Sequence, residues 1–453
     1  MLDKAARVAG VARRMDGLPV TRTHLRVVLA VGLGLFFDMY EVFLAGTVGT
    51  ALTSTFGLSG AGLALVLASA FLGMFVGAAF VARLADRFGR RRLFLFSLLW
   101  YSLFSLIGAF SPNAATVVLC RFLAGIGVGA EYPVSDTYLS DVLPSGSRGR
   151  QAAWAYTCSY LAVPALGFLS LGMSSNPNGW RWLLAIGAGG AIGVLILRRN
   201  LPESPRWLES VGRHAEAEAA YQQFAQAKPL GRQPSPSPFA AEEPAPQPTK
   251  TLTTAALAKP PYRRRMVMLG LFHLLQTFGY YGFGTLAVLV LAARGFTVQH
   301  SLLYTALSFL GYPIGSLLSI PLIHRLERKF LVIGTVIAMA VVGIVFASAS
   351  EPAVIVIAGF AFTAISNVFS NAYHIYQAEI LPTELRASGT GWTYSVSRLA
   401  TGAMPFVLLP LLATSGPVTV FTVVAAAMVL VAVDIAVLGP RTSGRSVEAI
   451  NPR

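Results

Sequence analysis

Residues 36–41 read FFDMYE, and Asp38 and Glu41 stand inside an apolar run from about Leu25 to Val48. Three residues apart, they share one face of a helix. A carboxylate at the centre of a membrane span costs roughly 2.5–3.5 kcal/mol, and the acids kept there face a cavity, pair with a cation or relay protons. At the helical rise, Asp38 and Glu41 lie about 20–24 Å from a start near Leu25. Arg121, in another apolar run, enters from the opposite side at a matching depth. An Asp38/Glu41–Arg121 cluster is therefore expected, as a proton relay or as a static ion pair tying two helices together. Glu131 lies further along the same run as Arg121, as a second relay point or part of an inner gate.

A second set of residues suits an anion. Arg398 in WTYSVSRLATGAMP lies about 14 Å deep. No companion acid is evident nearby, since Asp434 is near a span end. An unpaired guanidinium in a cavity favours a carboxylate or phosphate; the alternative is an Arg that snorkels or bonds backbone carbonyls. Tyr394 stands one turn before Arg398, and Trp392, Trp154, Tyr156 and Tyr160 supply aromatic surface. Aromatic walls with few polar groups fit a small, partly apolar organic anion. Gln276 and Tyr280, with Asn367, Asn371 and His374, form further polar faces, for substrate or for helix–helix hydrogen bonds.

The elements that position these residues follow from composition. Of 453 residues, 55% are hydrophobic and 12% charged, about half the charge of a soluble chain. The long apolar runs require an all-α membrane protein. Twelve spans are expected, at 25–48, 61–83, 93–110, 114–138, 151–172, 180–199, 264–291, 301–323, 331–349, 353–376, 389–412 and 417–439. No removable signal peptide precedes them. The formal charge of +15 does not point to nucleic acid. Arg181 and Arg294 fall in external loops, Arg121 and Arg398 within spans, and every other Lys and Arg on one side. That asymmetry makes both termini cytoplasmic. Cys120 and Cys158 lie in spans, where a thiol is a small core residue; no disulfide, metal site or cofactor is expected.

The chain divides into a tail (1–24), a six-helix half (25–199), a cytoplasmic segment (200–263), a second six-helix half (264–440) and a tail (441–453). In the middle segment, 205–227 has an amphipathic helical pattern, and the Pro-rich 229–248 reads as a disordered linker. The halves repeat at an offset of 238 residues. DRFGRR at 86 pairs with HRLERK at 324, and DVLPSGSR at 141 with EILPTELR at 379. The same register pairs Trp154 with Trp392, Tyr156 with Tyr394 and Tyr160 with Arg398. It sets Gln276 and Gly279 opposite Asp38 and Glu41, so that proton coupling, if the protein uses it, is expected in the first half. Two like-oriented halves, pseudo-symmetric about an axis along the membrane normal, put a binding site between them near mid-membrane.

Four segments carry a family resemblance: ARLADRFGRRR (82–92), RFLAGIGVGAEYP (121–133), LPESPRWL (201–208) and EILPTELRASGTG (379–391). Together they resemble the major facilitator superfamily, in its metabolite:proton symporter, sugar-porter-like branch. Ala82 stands where the first motif usually has Gly. The span 1 acids resemble those of aromatic-acid and phosphate symporters, with Glu41 for the usual second Asp. The resemblance implies a monomeric alternating-access carrier in the plasma or inner membrane. It also implies a cytoplasmic latch built on Asp86, with Arg87, Arg90, Asp141, Arg148, Glu379 and Arg386 as its candidate members. His324 and Glu327 replace Asp and Gly in the second copy and argue against a symmetric latch there. The expected function is proton-coupled import of a small organic anion, an aromatic carboxylate among the candidates. A sugar, polyol or phosphate symporter and an organic-cation carrier are the alternatives, and outside transport a substrate sensor. No nucleophile–base cluster of an enzyme is present in the spans.

Overall fold

The computed structural model describes residues 10–11, 13–81, 84–230, 254–260, 262–381, 383–442 and 450. Among them, eleven helices are long and apolar enough to cross a membrane. The first ten are span 1 (Arg22–Phe56), span 2 (Gly60–Val81), span 3 (Arg90–Ala109), span 4 (Ala114–Val142), span 5 (Arg148–Gly172), span 6 (Gly179–Arg198), span 7 (Tyr262–Ala293), span 8 (Val298–Ile323), span 9 (Arg328–Ser348) and span 10 (Pro352–Glu379). The eleventh, Gly389–Leu438, has 50 residues, about 75 Å as one helix against a hydrocarbon core of about 30 Å. It breaks at Gly416, whose φ of 80° favours glycine. Pro417 follows without an N–H to offer. The two pieces are spans 11 and 12, and the expected twelve crossings are complete.

Turn chemistry sets the helix starts. The side chains of Ser59, Asn113 and Thr297 accept from the backbone N–H of Gly62, Thr116 and His300, capping spans 2, 4 and 8. The helix expected over 205–227 is two, Pro205–Ser210 and His214–Ala225. Gly212, at φ 83°, separates them. The Pro-rich linker lies, from residue 231, outside the described residues.

The 238-residue offset recurs as geometry. Carbons added at Gly73 and Gly77 would strike the carbonyls of Phe122 and Ile126, and at Gly311 and Gly315 those of Phe360 and Ala364. Span 2 thus packs on span 4 as span 8 packs on span 10, backbone against backbone at the same positions. Tyr138 donates to the Pro202 carbonyl at 2.6 Å, and Tyr376 to that of Pro440 at 2.8 Å.

Between the halves, close approaches lie toward the Gly57 end of span 1. A carbon at Gly46 would come within 2.7 Å of the Thr285 carbonyl, and Gly167 would meet Ala306. Phe43 packs on Phe309 and Tyr312, with ring centroids 6.0 and 5.6 Å away.

Candidate functional site

The first half buries five charges in one column. Asp38, Glu41, Glu131 and Arg198 are each 0% exposed and Arg121 3%. Arg121 pairs with Glu41 at 3.0 Å and also donates to its backbone carbonyl. Ser105, on span 3, donates to the other Glu41 oxygen at 3.0 Å. Both Glu41 oxygens thus have a donor, and Asp38 is not part of the Arg121 pair, contrary to the expected three-residue cluster. About 60° around the helix and a rise of about 4.5 Å separate the two acids, enough to aim Asp38 at a different partner.

That partner is Glu131, itself paired with Arg198 at 2.6 Å. Asp38 and Glu131 lie within hydrogen-bonding reach of each other. Among the described residues no donor reaches either Asp38 oxygen or Oε2 of Glu131, so the two carboxyls hydrogen-bond only when one holds a proton. Sequence reasoning missed Arg198. In GVLILRRN it reads as the basic flank of span 6, but its side chain turns inward. There it lies over the Phe94 ring at 3.5 Å and donates to the carbonyls of Ala30 and Val31. Gly34 makes this possible, since a carbon there would overlap the Arg198 guanidinium and approach Glu131 to 2.5 Å. The 238-residue register replaces Gly34, Glu131 and Arg198 with Phe272, Phe369 and Ala436. There the two Phe rings pack 5.6 Å apart, so the second half fills the same space with hydrocarbon.

Arg398 anchors the second cluster. It is 4% exposed, donates to the Tyr394 hydroxyl and lies 4.5 and 5.0 Å from the Tyr394 and Tyr281 ring centres. Its Nη1 has no partner among the described residues. Tyr160 lies within hydrogen-bonding reach of Tyr280 and Ser370, and Tyr156 stacks on Tyr132 with centroids 6.4 Å apart. Trp154 and Trp392 are not brought in. They are 59% and 65% exposed, because two helical residues turn about 200° and their neighbours Tyr156 and Tyr394 face the centre. Tyr281, Tyr132 and Asp136 were also missed. Asp136 is exposed and within electrostatic range of Tyr394 across the halves; its signal was a third acid in span 4.

The other polar side chains are mostly engaged. Gln276 donates to Ser397 at 3.1 Å, Asn371 to Ser319 at 2.8 Å and Asn367 to the Tyr312 carbonyl. His374 Nδ1 meets the Ser370 carbonyl at 2.6 Å.

At the helix ends, Asp141 pairs with Arg90 at 3.3 Å and accepts from Ser204. The second half carries the equivalent pair one register on, Arg328–Glu379 at 3.2 Å, despite the altered motif. Arg148 pairs not with Asp141 but with Asp16, which also holds Arg206. Arg87 is exposed beside the Phe88 ring. The side chains of Asp86 and Arg386 lie outside the described residues.

Comparison with known proteins places this arrangement. The profile of the family described as "Sugar (and other) transporter" matches residues 31–453. The niacin transporter NiaP of Acinetobacter baylyi is 29% identical over 451 residues, covering 96% of this chain and 98% of its own. The inner membrane metabolite transport protein YgcS of Escherichia coli is 29% identical over 405 residues, 87% of each chain. A solved inward-open structure of the xylose transporter XylE from E. coli superposes with a TM-score of 0.75 at 18% identity, covering 94% of this chain and 99% of that one. At that identity the likeness is one of fold.

Proposed function

Given that the chain belongs to the sugar (and other) transporter family, within the major facilitator superfamily, we propose that this transporter couples protons to the import of a small organic anion, with aromatic carboxylates first among the candidates. The observation that carries the substrate reading is Arg398, buried among Tyr281 and Tyr394 with Nη1 unclaimed by any described residue. A planar guanidinium with a free edge in an aromatic wall suits a carboxylate on a ring. A sugar would need several free donors and acceptors, whereas the amide nitrogens of Gln276, Asn367 and Asn371 are committed to neighbouring helices. An organic cation is disfavoured by Arg398 itself. The relation to a niacin transporter makes nicotinate the first compound to test.

Coupling rests on charge balance. Asp38, Glu41 and Glu131 carry three negative charges against two on Arg121 and Arg198, all buried. An uncompensated buried charge is costly, so one proton, held between Asp38 and Glu131, brings the column to neutrality. Glu41–Arg121 is the static tie between spans 1 and 4, and Asp38 with Glu131 is the proton site. Both termini are cytoplasmic, so the packing around Gly46 and Gly167 closes the external side. The proton and the anion enter when that packing opens, the halves rock about the site, and both leave to the cytoplasm, across an inner bacterial membrane in this reading.

The test is thermal unfolding of the purified protein against nicotinate, benzoate, phosphate, xylose and organic cations. A true ligand at about 100 times its Kd adds roughly 2.7 kcal/mol. A carboxylate that stabilises wild type and not Arg398→Gln supports the reading. Stabilisation by xylose or a cation alone, or a carboxylate effect that survives that substitution, overturns it.

A further inference from the structure

The second half contains titratable groups that this mechanism does not use. His273, on span 7, is 3% exposed. Its Nε2 lies 2.7 Å from the Tyr373 hydroxyl and 3.3 Å from Gln377 Oε1, while Nδ1 has no partner among the described residues. The Tyr373 ring is fixed by stacking on Phe272, centroids 3.6 Å apart. The charged and titratable groups around His273 come from three helices. Span 10 contributes Tyr373 and His374, and span 11 contributes Tyr394, whose ring centre is 6.4 Å away, and Arg398. Span 12 contributes Asp434, within electrostatic range of Tyr373. Asp434 is 8% exposed and neither of its oxygens has a donor among the described residues. Tyr376 also faces Asp434, but its hydroxyl is committed to the Pro440 carbonyl.

We propose that His273 is a second proton acceptor, filled when the anion binds at Arg398, so that two protons enter with each monocarboxylate. The inference rests on the anion reading above and on a second charge balance. With the site empty, the described charges deep in this half are Arg398 and Asp434, one of each sign, since Arg265 lies at the start of span 7 on the Ile380 and Ile450 carbonyls, and His273 is neutral. A bound carboxylate adds one negative charge beside Arg398, which is itself within electrostatic range of His273. A proton on the free Nδ1 of His273 restores neutrality, with Tyr373 between the imidazolium and Asp434. Binding and protonation favour each other by the same factor, as linkage requires. On release to the cytoplasm the carboxylate leaves, the balance reverses, and His273 returns its proton to water. One proton then travels on Asp38–Glu131 and one on His273, against one negative charge on the substrate, so transport moves one net positive charge.

The experiment measures nicotinate accumulation in proteoliposomes under a gradient of one pH unit, with the membrane potential clamped at zero. Each coupled proton multiplies the limiting accumulation ratio by about ten per pH unit. Wild type should reach about 100-fold. His273→Gln should reach about 10-fold, because the acceptor is gone. Asp434→Asn should also reach about 10-fold, because the bound anion is then balanced by Arg398 alone. Two variants on different helices keep the test decisive where one of them misfolds. A wild-type ratio of about 10-fold, or variants that keep about 100-fold, overturns the second site and leaves the first reading standing. Wild type that accumulates no nicotinate or benzoate under the gradient overturns the anion-symport reading, and this inference with it.

Discussion

Glu41 and Asp38 are one helical turn apart and should answer mutation differently. Glu41→Gln strips Arg121 of its counter-charge inside the protein, and stranding a buried charge typically costs about 3–5 kcal/mol. The expected result is a large fall in thermal stability, measured by unfolding in detergent. Asp38→Asn removes a carboxyl that faces another carboxyl, so it should unfold at or above the wild-type temperature while losing one of the coupled protons. Equal destabilisation by the two would mean that Asp38 is also a structural partner. Gly34→Ala gives a third test. Its added carbon would displace the Arg198 guanidinium, whereas Gly189→Ala meets nothing within 4 Å and serves as the control. Transport should fall sharply in the first and persist in the second. The acids were legible in FFDMYE and AEYP because a charge in an apolar run has few explanations. Arg198 was not, since an inward turn and a snorkel to the interface look the same in a sequence; only Gly34, 164 positions away, records the difference.

At the scale of helices, paired ties hold the ends of each half. Arg90–Asp141 and Arg328–Glu379 are a quarter exposed or less, join the start of one helix to the end of the next, and are related by the repeat. Neutralising either should cost about 1 kcal/mol, and the double variant the sum, since sites far apart add. Strong non-additivity would show that the two ties act as one device across the halves. An exposed pair, Arg14–Glu218 at 2.7 Å, ties the N-terminal segment to the helix His214–Ala225 and is different. The guanidinium pulls the Glu218 carboxyl down to about 2, so this tie persists across physiological pH and contributes nothing to pH-dependent transport. Helix number and the repeat were readable from apolar run length and from two motifs that recur at the 238-residue offset. The split of 205–227 was not, because an amphipathic pattern passes through Gly212 without a sign of its positive φ. Trp154 and Trp392 were read toward the centre because their pairing across the repeat is real; the pairing fixes equivalence, while the two-residue step to Tyr156 and Tyr394 fixes which face turns outward.

For the whole molecule, the two halves share a backbone and differ in what they bury. One has a charge column where the other has packed phenylalanines, and Arg398 lies opposite Tyr160. In the proposed reading this asymmetry divides the work, with the main proton site in the first half and the anion site in the second. Movement between states has to separate the packing at Gly46, where even a methyl group would press on the Thr285 carbonyl. Gly46→Leu should therefore hold the external side open. Transport would be lost while nicotinate added from outside still stabilises the protein; retained transport would place the gate elsewhere. The most direct test of coupling is uptake of labelled nicotinate into proteoliposomes with and without an inward proton gradient, for wild type and Asp38→Asn. Wild type should accumulate nicotinate above the external concentration only with the gradient, and Asp38→Asn, left with the His273 proton alone, should accumulate about ten-fold less per pH unit. Uptake indifferent to the gradient, or accumulation by Asp38→Asn equal to wild type, would contradict the account.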